Sequence, residues 1–163
     1  MRRLFIIMCL LLAASGCASW KQQFGALAAP GLQRVERKEK VVQSFESGRT
    51  EAQFAAALQR IEGGDPAEGR KLLEALVARR PNFVEGRLKL AELLWADEDI
   101  AGAELQLQAA VALTPERADV HHALGVLLES LARTDEAIMH LSRAAELEPA
   151  NELYALSLPA TTH

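Results

Sequence analysis

The sequence predicts an all-α protein, a superhelical solenoid of three helix-turn-helix repeats with a flanking N-terminal helix and a short C-terminal cap. Half of the 163 residues are apolar, a quarter are charged and only 5% are aromatic. Ala, Leu, Glu and Arg recur throughout, which favours helix over sheet. In addition, Pro81, Pro115 and Pro149 stand 34 residues apart. A fixed period of about 20 to 50 residues is typical of repeat arrays.

The first sixteen residues are predicted to be an export signal. Arg2 and Arg3 precede an uncharged apolar run from Leu4 to Ala14, and small residues follow it. This is the order of a secretory signal peptide. The run is well short of the roughly 20 residues that a membrane-spanning helix needs. We therefore expect residues 1–16 to direct export and to be removed.

The end of this segment reads Leu12-Ala13-Ala14-Ser15-Gly16-Cys17 and resembles the lipobox of bacterial lipoprotein precursors. The resemblance implies that Cys17 becomes the first residue and carries lipid, such as palmitate. In Gram-negative members, a residue like Ala18 in place of aspartate directs the protein to the outer membrane, facing the periplasm. Residues 17–32 are then the lipid attachment site and a flexible tether. The alternative is ordinary cleavage after Gly16.

Beyond the tether, we expect a helix over residues 33–49 in which Val41, Val42 and Phe45 cover the first repeat. The proline period then divides the chain into three windows, and residues 152–163 form a cap and tail. The windows are 50–83, 84–117 and 118–151. Each has two helical halves joined by a polar turn. The predicted turns are Gly63-Gly64-Asp65, Asp97-Glu98-Asp99 and Arg133-Thr134-Asp135.

Small and apolar residues recur at equivalent positions of the second and third windows. They are Leu90, Ala91, Leu94, Ala103, Leu107 and Ala110, then Leu124, Gly125, Leu128, Ala137, Leu141 and Ala144. These spacings place them on one face of each helix, and the small residues let two helices approach closely. With the proline at its end, the pattern resembles the tetratricopeptide repeat, a 34-residue helix-turn-helix unit. The resemblance implies a concave surface, made by the first helices, that holds a peptide or helix.

The face of each first helix opposite its packing stripe is predicted to line that concave surface. The three sets are Glu51, Phe54, Leu58 and Ile61, then Glu85, Leu88, Glu92 and Trp95, then Asp119, His122, Val126 and Glu129. Each set steps by three, four and three, as residues on one helix face do. Five of these residues are carboxylates and none is Lys or Arg. The predicted partner is a protein or peptide segment with apolar and basic side chains, and Trp95 is the expected anchor.

Each part of this prediction has an alternative. Charged residues on a helix face are often only solvated. For the apolar residues of the first set, the alternative is that the preceding helix covers them. For Trp95, the alternative is that it packs inside its repeat.

No catalytic, cofactor or metal site is predicted. His121 and His122 are adjacent and point about 100° apart on a helix, so they do not readily bind one metal together. The chain has no HExxH, GxSxG or glycine-rich phosphate motif. Its formal charge of −4 lacks the basic excess that nucleic-acid binding requires. We therefore expect a protein that is not an enzyme and does not bind nucleic acid.

These patterns favour a membrane-anchored adaptor or scaffold in a cell-envelope assembly, such as a pilus, secretion or outer-membrane complex. The alternative is an accessory regulator of a cell-wall or envelope enzyme. The last helix of a repeat array leaves one side in need of cover. Because Leu153, Leu156 and Leu158 lie there, we expect the C-terminal end to self-associate or to dock a partner.

Overall fold

A computed structural model describes residues 30–158, with side chains from residue 33 onward. It falls into two compact units, divided between Gly48 and Arg49. The helices are α1 Pro30–Glu62, α2 Pro66–Arg79, α3 Val84–Ala96, α4 Ile100–Leu113, α5 Ala118–Ser130, α6 Thr134–Leu147 and α7 Glu152–Leu156. The predicted signal and Cys17 lie outside the described residues. Within residues 30–158, no helix is both long and apolar enough to cross a membrane.

The helix bounds repeat with the period of the prolines. Helices α2, α4 and α6 begin 34 residues apart, and so do α3, α5 and α7. Each of the three prolines lies two residues beyond the end of a helix. A proline there has no N–H with which to continue the helix. The predicted fold class, an all-α solenoid of helix-turn-helix repeats, is confirmed.

Helix α1 differs from the prediction. Separate helices were expected on either side of residue 49, but one helix runs from Pro30 to Glu62. Gly48 is the weakest helix former near the expected break, and a lone glycine costs a helix only about 1 kcal/mol. The side chains expected to cover the first repeat, Val41, Val42 and Phe45, are 62%, 61% and 70% exposed. The helix also takes in residues 30–32 of the predicted tether.

The core lies between the two helices of each repeat in residues 49–158. Small residues occupy one equivalent position, Ala57, Ala91 and Gly125, and all three are buried. Leu73, Leu107 and Leu141 occupy another and are at most 3% exposed. The first repeat therefore follows the same packing register as the other two. Leu90, Leu94, Leu124 and Leu128 are buried as predicted.

The turn inside each repeat contains one residue in the left-handed region. These are Gly64, Glu98 and Ala132, with φ of 88°, 63° and 57°. The third turn was predicted at residues 133–135, but α6 already begins at Thr134. Acidic residues such as Asp135 suit the first turn of a helix as well as they suit a loop. The sequence pattern therefore placed this turn two residues too late.

Replacing Ala132 with glycine is expected to raise the free energy of unfolding by about 0.5 to 1 kcal/mol. A Cβ atom in the left-handed region costs about 1 to 2 kcal/mol, and the greater freedom of glycine in the unfolded chain offsets part of the gain. Urea unfolding measures the difference. Ala55→Gly, in the exposed interior of α1, is the control and should lose about 1 kcal/mol. If both variants lost the same free energy of unfolding, the left-handed backbone at Ala132 would not be strained.

Candidate functional site

A cavity of about 310 Å³ lies between α3 and α5, the first helices of the second and third repeats. The side chains that line it define the α3–α5 groove: Leu88, Ala91, Glu92, Trp95, Leu107, Asp119, His122, Ala123 and Val126. Six of them were predicted from helix spacing. The volume is at the lower end of the range for ligand pockets, about 300 to 1,000 Å³. It admits a few side chains of a partner.

Small residues create the space in this groove. Ala91, from α3, and Ala123, from α5, each contribute only a methyl group to the lining, and Leu107, from α4, is a buried part of it. Leu88, Trp95 and Val126 are half-buried, so each keeps apolar surface open to the cavity. Trp95 both packs against the core and lines the groove. The two alternatives for Trp95 thus describe different parts of the same side chain.

Arg117 joins two carboxylates at one end of the groove. It donates from Nη1 to Oε1 of Glu85 at 2.7 Å and from Nη2 to Oδ2 of Asp119 at 2.6 Å. Its Nε donates to the other oxygen of Asp119 at 3.0 Å. This bidentate hydrogen bond holds the pKa of Asp119 below its usual value, and it raises the pKa of Arg117. Both groups are therefore charged at neutral pH.

The predicted positions contain no Lys or Arg, yet the structure places two cations beside them. Besides Arg117, Lys89 lies with its Nζ 2.5 Å from Oε2 of Glu92. Lys89 is one residue from the groove face, but its long side chain turns toward the carboxylate. Three carboxylates line the groove or bond to Arg117, namely Glu85, Glu92 and Asp119, and they outnumber these two cations by one. The groove is acidic, but less so than the sequence pattern indicated.

His122 connects the groove to the C-terminal helix α7. Its ring lies against Tyr154, with centroids 4.9 Å apart. The Ser157 hydroxyl donates to the Leu153 carbonyl, so it accepts from Nε2–H of His122 at 2.9 Å. Tyr154 is buried beside Ala118 and Ala144, so α7 covers part of the last repeat. No sequence spacing indicated that Tyr154 or Ser157 would meet a groove residue.

Stability is expected to fall as the pH is lowered below about 6.5. Burial lowers the pKa of His122 from its ordinary value of 6.5. Between the pKa of His122 in the unfolded chain and its lower pKa in the folded chain, only the unfolded chain binds the proton. The stability that is present above pH 6.5 is therefore lost as the pH falls to the folded pKa. One such proton gives a slope of at most about 1.4 kcal/mol per pH unit. Denaturation at pH values from about 7.5 to 5.5, on either side of the ordinary pKa of histidine, measures this loss. The free energy of unfolding should depend less on pH in His122→Gln than in the wild type.

The first predicted set does not reach the α3–α5 groove. Phe54 packs edge-on against Phe83, with ring centroids 5.2 Å apart. Ile61 lies over Gly69, where a Cβ atom would come within 2.4 Å of its Cγ1. Both side chains pack against the core. Leu58 is half-buried and Glu51 is exposed, and neither lines the cavity.

Two residues of the later sets also lie outside the lining. Glu85 is linked to the groove only through Arg117, whereas Glu129 is exposed near the end of α5. The helix face is therefore longer than the cavity. Helix spacing identified six residues of the cavity lining, but it did not show where along the helix face the cavity begins and ends.

A larger cavity of about 570 Å³ lies beside His121 and His140. Five of the six polar side chains that line it have partners. His121 pairs Nδ1 to Nδ1 with His140 at 3.0 Å, and its Nε2 lies 3.1 Å from the Pro115 carbonyl oxygen. Arg143 bonds Glu116 and Glu146. Across residues 33–158, no three His, Cys, Asp or Glu side chains are placed to hold a metal ion. The smaller groove is thus the better candidate.

Comparison with known proteins agrees with this architecture. The tetratricopeptide repeat family model matches residues 60–127. The crystal structure of MamA superposes with a TM-score of 0.62 at 21% identity, covering 75% of this chain and 71% of that one. The first repeat domain of Spaghetti (RPAP3), bound to the HSP90 peptide SRMEEVD, gives 0.63 at 20% identity over 69% and 89%.

The type III secretion translocator chaperone SycD of Yersinia enterocolitica gives a TM-score of 0.62 at 16% identity, over 72% of this chain and 90% of that one. No match was found among curated proteins. At these identities the likeness shows the fold. By that fold, and by the match over residues 60–127, the chain is a tetratricopeptide-like solenoid.

Proposed function

We propose that this protein is a membrane-anchored adaptor whose α3–α5 groove holds a segment of another protein within a cell-envelope assembly, such as a pilus, secretion or outer-membrane complex. One observation carries the proposal: half-buried Trp95 lines a cavity that also contains apolar Leu88 and Val126 and the carboxylates Glu92 and Asp119. Such a mixture is more typical of a protein-binding site than of a catalytic site, because aromatic anchors contribute most of the binding energy at interfaces.

The chemistry of the groove defines the segment that it accepts. An apolar side chain fills the space beside Trp95, and a Lys or Arg next to it reaches Glu92, which is exposed. Because the carboxylates outnumber Lys89 and Arg117, an acidic segment meets like charge and is disfavoured. The groove thus selects for an apolar and basic segment.

Two structural neighbours support a role in holding proteins. The Spaghetti repeat domain is bound to an HSP90 peptide, and SycD is a secretion chaperone. The HSP90 peptide SRMEEVD is rich in carboxylates, whereas the groove described above is itself acidic. We therefore propose that this chain also holds a protein segment, but one whose charged side chains are basic rather than acidic.

The anchor in this proposal is lipid on Cys17, with the protein at the outer membrane and facing the periplasm. Its support is the lipobox-like sequence that ends at Cys17. Two or more acyl chains hold a protein at a bilayer far more firmly than one. Metabolic labelling with a palmitate analogue should mark the wild-type protein and leave Cys17→Ser unmarked. A label retained in that variant would contradict the site.

A peptide panel tests the groove. The full-length chain in detergent is presented with apolar peptides that carry either lysines or, at the same positions, glutamates. We expect the lysine peptides to bind at least about tenfold more tightly, equivalent to about 1.4 kcal/mol. Glu92→Lys should remove that preference, while Glu62→Lys, an exposed carboxylate outside the groove, should keep it. Equal binding of both peptide types would overturn the proposal.

The protein that stays bound to this chain when it is isolated from cells distinguishes the adaptor from the accessory regulator. A subunit of an assembly supports the adaptor, whereas a cell-wall hydrolase or synthase would favour the accessory regulator. Each result counts only if Glu92→Lys loses the partner and Glu62→Lys retains it.

A further inference from the structure

The N-terminal half of α1 carries an apolar face that is open to solvent. Val35 and Val42 are 52% and 61% exposed, and Val41 and Phe45 are 62% and 70% exposed. At about 100° per residue, these four positions fall within one third of the helix circumference. We name them the α1 face. Four apolar side chains at this exposure form a surface of the kind that interfaces use.

The charges around the α1 face are unevenly distributed. Arg34 and Lys38 fall within the same third of the helix, at helical spacing from Val35, Val42 and Phe45. The acidic residues of this segment, Glu36, Glu39 and Glu46, fall outside it. The α1 face is therefore both apolar and basic.

The α3–α5 groove has the complementary character. It is lined by apolar Leu88, Trp95 and Val126 together with the carboxylates Glu92 and Asp119. We infer that the α1 face of one copy docks in the α3–α5 groove of a second copy. This rests on the proposed function, in which the groove holds a protein segment, and it names the occupant as this chain itself.

The inferred contact joins two different surfaces of the same protein. Each copy offers one α1 face and one groove, so the contact is heterologous and the addition of copies continues until a ring closes or a filament grows. A helix face with apolar and basic side chains also suits an anionic bilayer. The matching groove on the same chain, with its excess of carboxylates, favours a second copy as the occupant.

A mixing experiment tests the contact with two variants of the full-length chain in detergent micelles. Lys38→Glu with Phe45→Ser changes only exposed positions of the α1 face, and Glu92→Lys changes only an exposed position of the groove. Each variant alone should sediment as a monomer at concentrations where the wild type assembles, with association at least about tenfold weaker. The mixture should form one-to-one dimers and nothing larger, because only one intact face can meet one intact groove.

Lys40→Glu is the matched control, since Lys40 lies on the side of α1 away from the α1 face, and it should assemble like the wild type. A monomeric wild type, unimpaired assembly of the face variant, or a mixture without dimers would each overturn the inference. So would face-dependent binding to vesicles containing anionic lipid without self-association. If the wild type is a monomer in sedimentation but still binds the lysine peptides more tightly, only this inference is overturned. If the wild type binds lysine and glutamate peptides equally, the proposed function is overturned.

Discussion

Gly125→Leu is expected to lower the free energy of unfolding by about 3 kcal/mol. Even a Cβ atom at Gly125 would lie 2.7 Å from Cγ of Leu141 and 3.2 Å from its backbone nitrogen. Leu141 is 1% exposed, so it has nowhere to move. Helices α5 and α6 would have to separate, and overpacking of this kind costs about 1 to 3 kcal/mol or more. Urea unfolding followed by circular dichroism measures the loss.

Two further glycine substitutions make this prediction falsifiable even if the leucine variant does not fold. Gly125→Ala adds the Cβ atom alone and should still destabilise the protein, despite the better helix propensity of alanine. Gly48→Ala meets no atom within 4 Å and should stabilise α1 by up to about 1 kcal/mol. A gain in stability from Gly125→Ala would show that the close approach of the two helices is not required.

Trp95→Ala is expected to weaken binding of the lysine peptides at least about 30-fold, equivalent to about 2 kcal/mol. Trp95 is the largest side chain that lines the α3–α5 groove, and its removal leaves the cavity too open to exclude water from a bound side chain. Titration calorimetry on the full-length chain measures the change.

Controls for Trp95 separate binding from stability, because this side chain also packs against the core. Trp95→Phe keeps an aromatic ring against the core and should bind with an intermediate affinity. Leu105→Ala removes a side chain that is 63% exposed and outside the groove, so binding should not change. Undiminished binding by folded Trp95→Ala would remove Trp95 as the anchor.

Local patterns predicted most of the repeat architecture. Pro81, Pro115 and Pro149 each lie two residues beyond a helix end, because a residue without an N–H cannot continue the hydrogen-bond ladder there. The small residues that recur with the same period predicted the buried faces. Two features escaped this reasoning: α1 passes through Gly48 without a break, and the third turn lies at Leu131 to Arg133. Polar residues alone do not distinguish a turn from the first turn of a helix.

The groove was only partly predictable. Helix spacing identified six of its lining residues, because positions three and four apart share one face whatever the helix packs against. It did not identify Arg117, which comes from the loop before α5 and reaches across to Glu85 on α3. Nor did it identify Ser157, 35 residues beyond its partner His122.

The sequence by itself determined the 34-residue period, the helix pairs and the apolar, acidic face that includes Trp95. These follow from local rules, namely the missing N–H of proline and the angular spacing of residues on a helix. Only the tertiary structure decided which part of that face becomes a cavity, which carboxylates are paired and that α7 meets His122. Those features depend on how closely two helices approach and how far long side chains reach between residues distant in sequence, which no local pattern specifies.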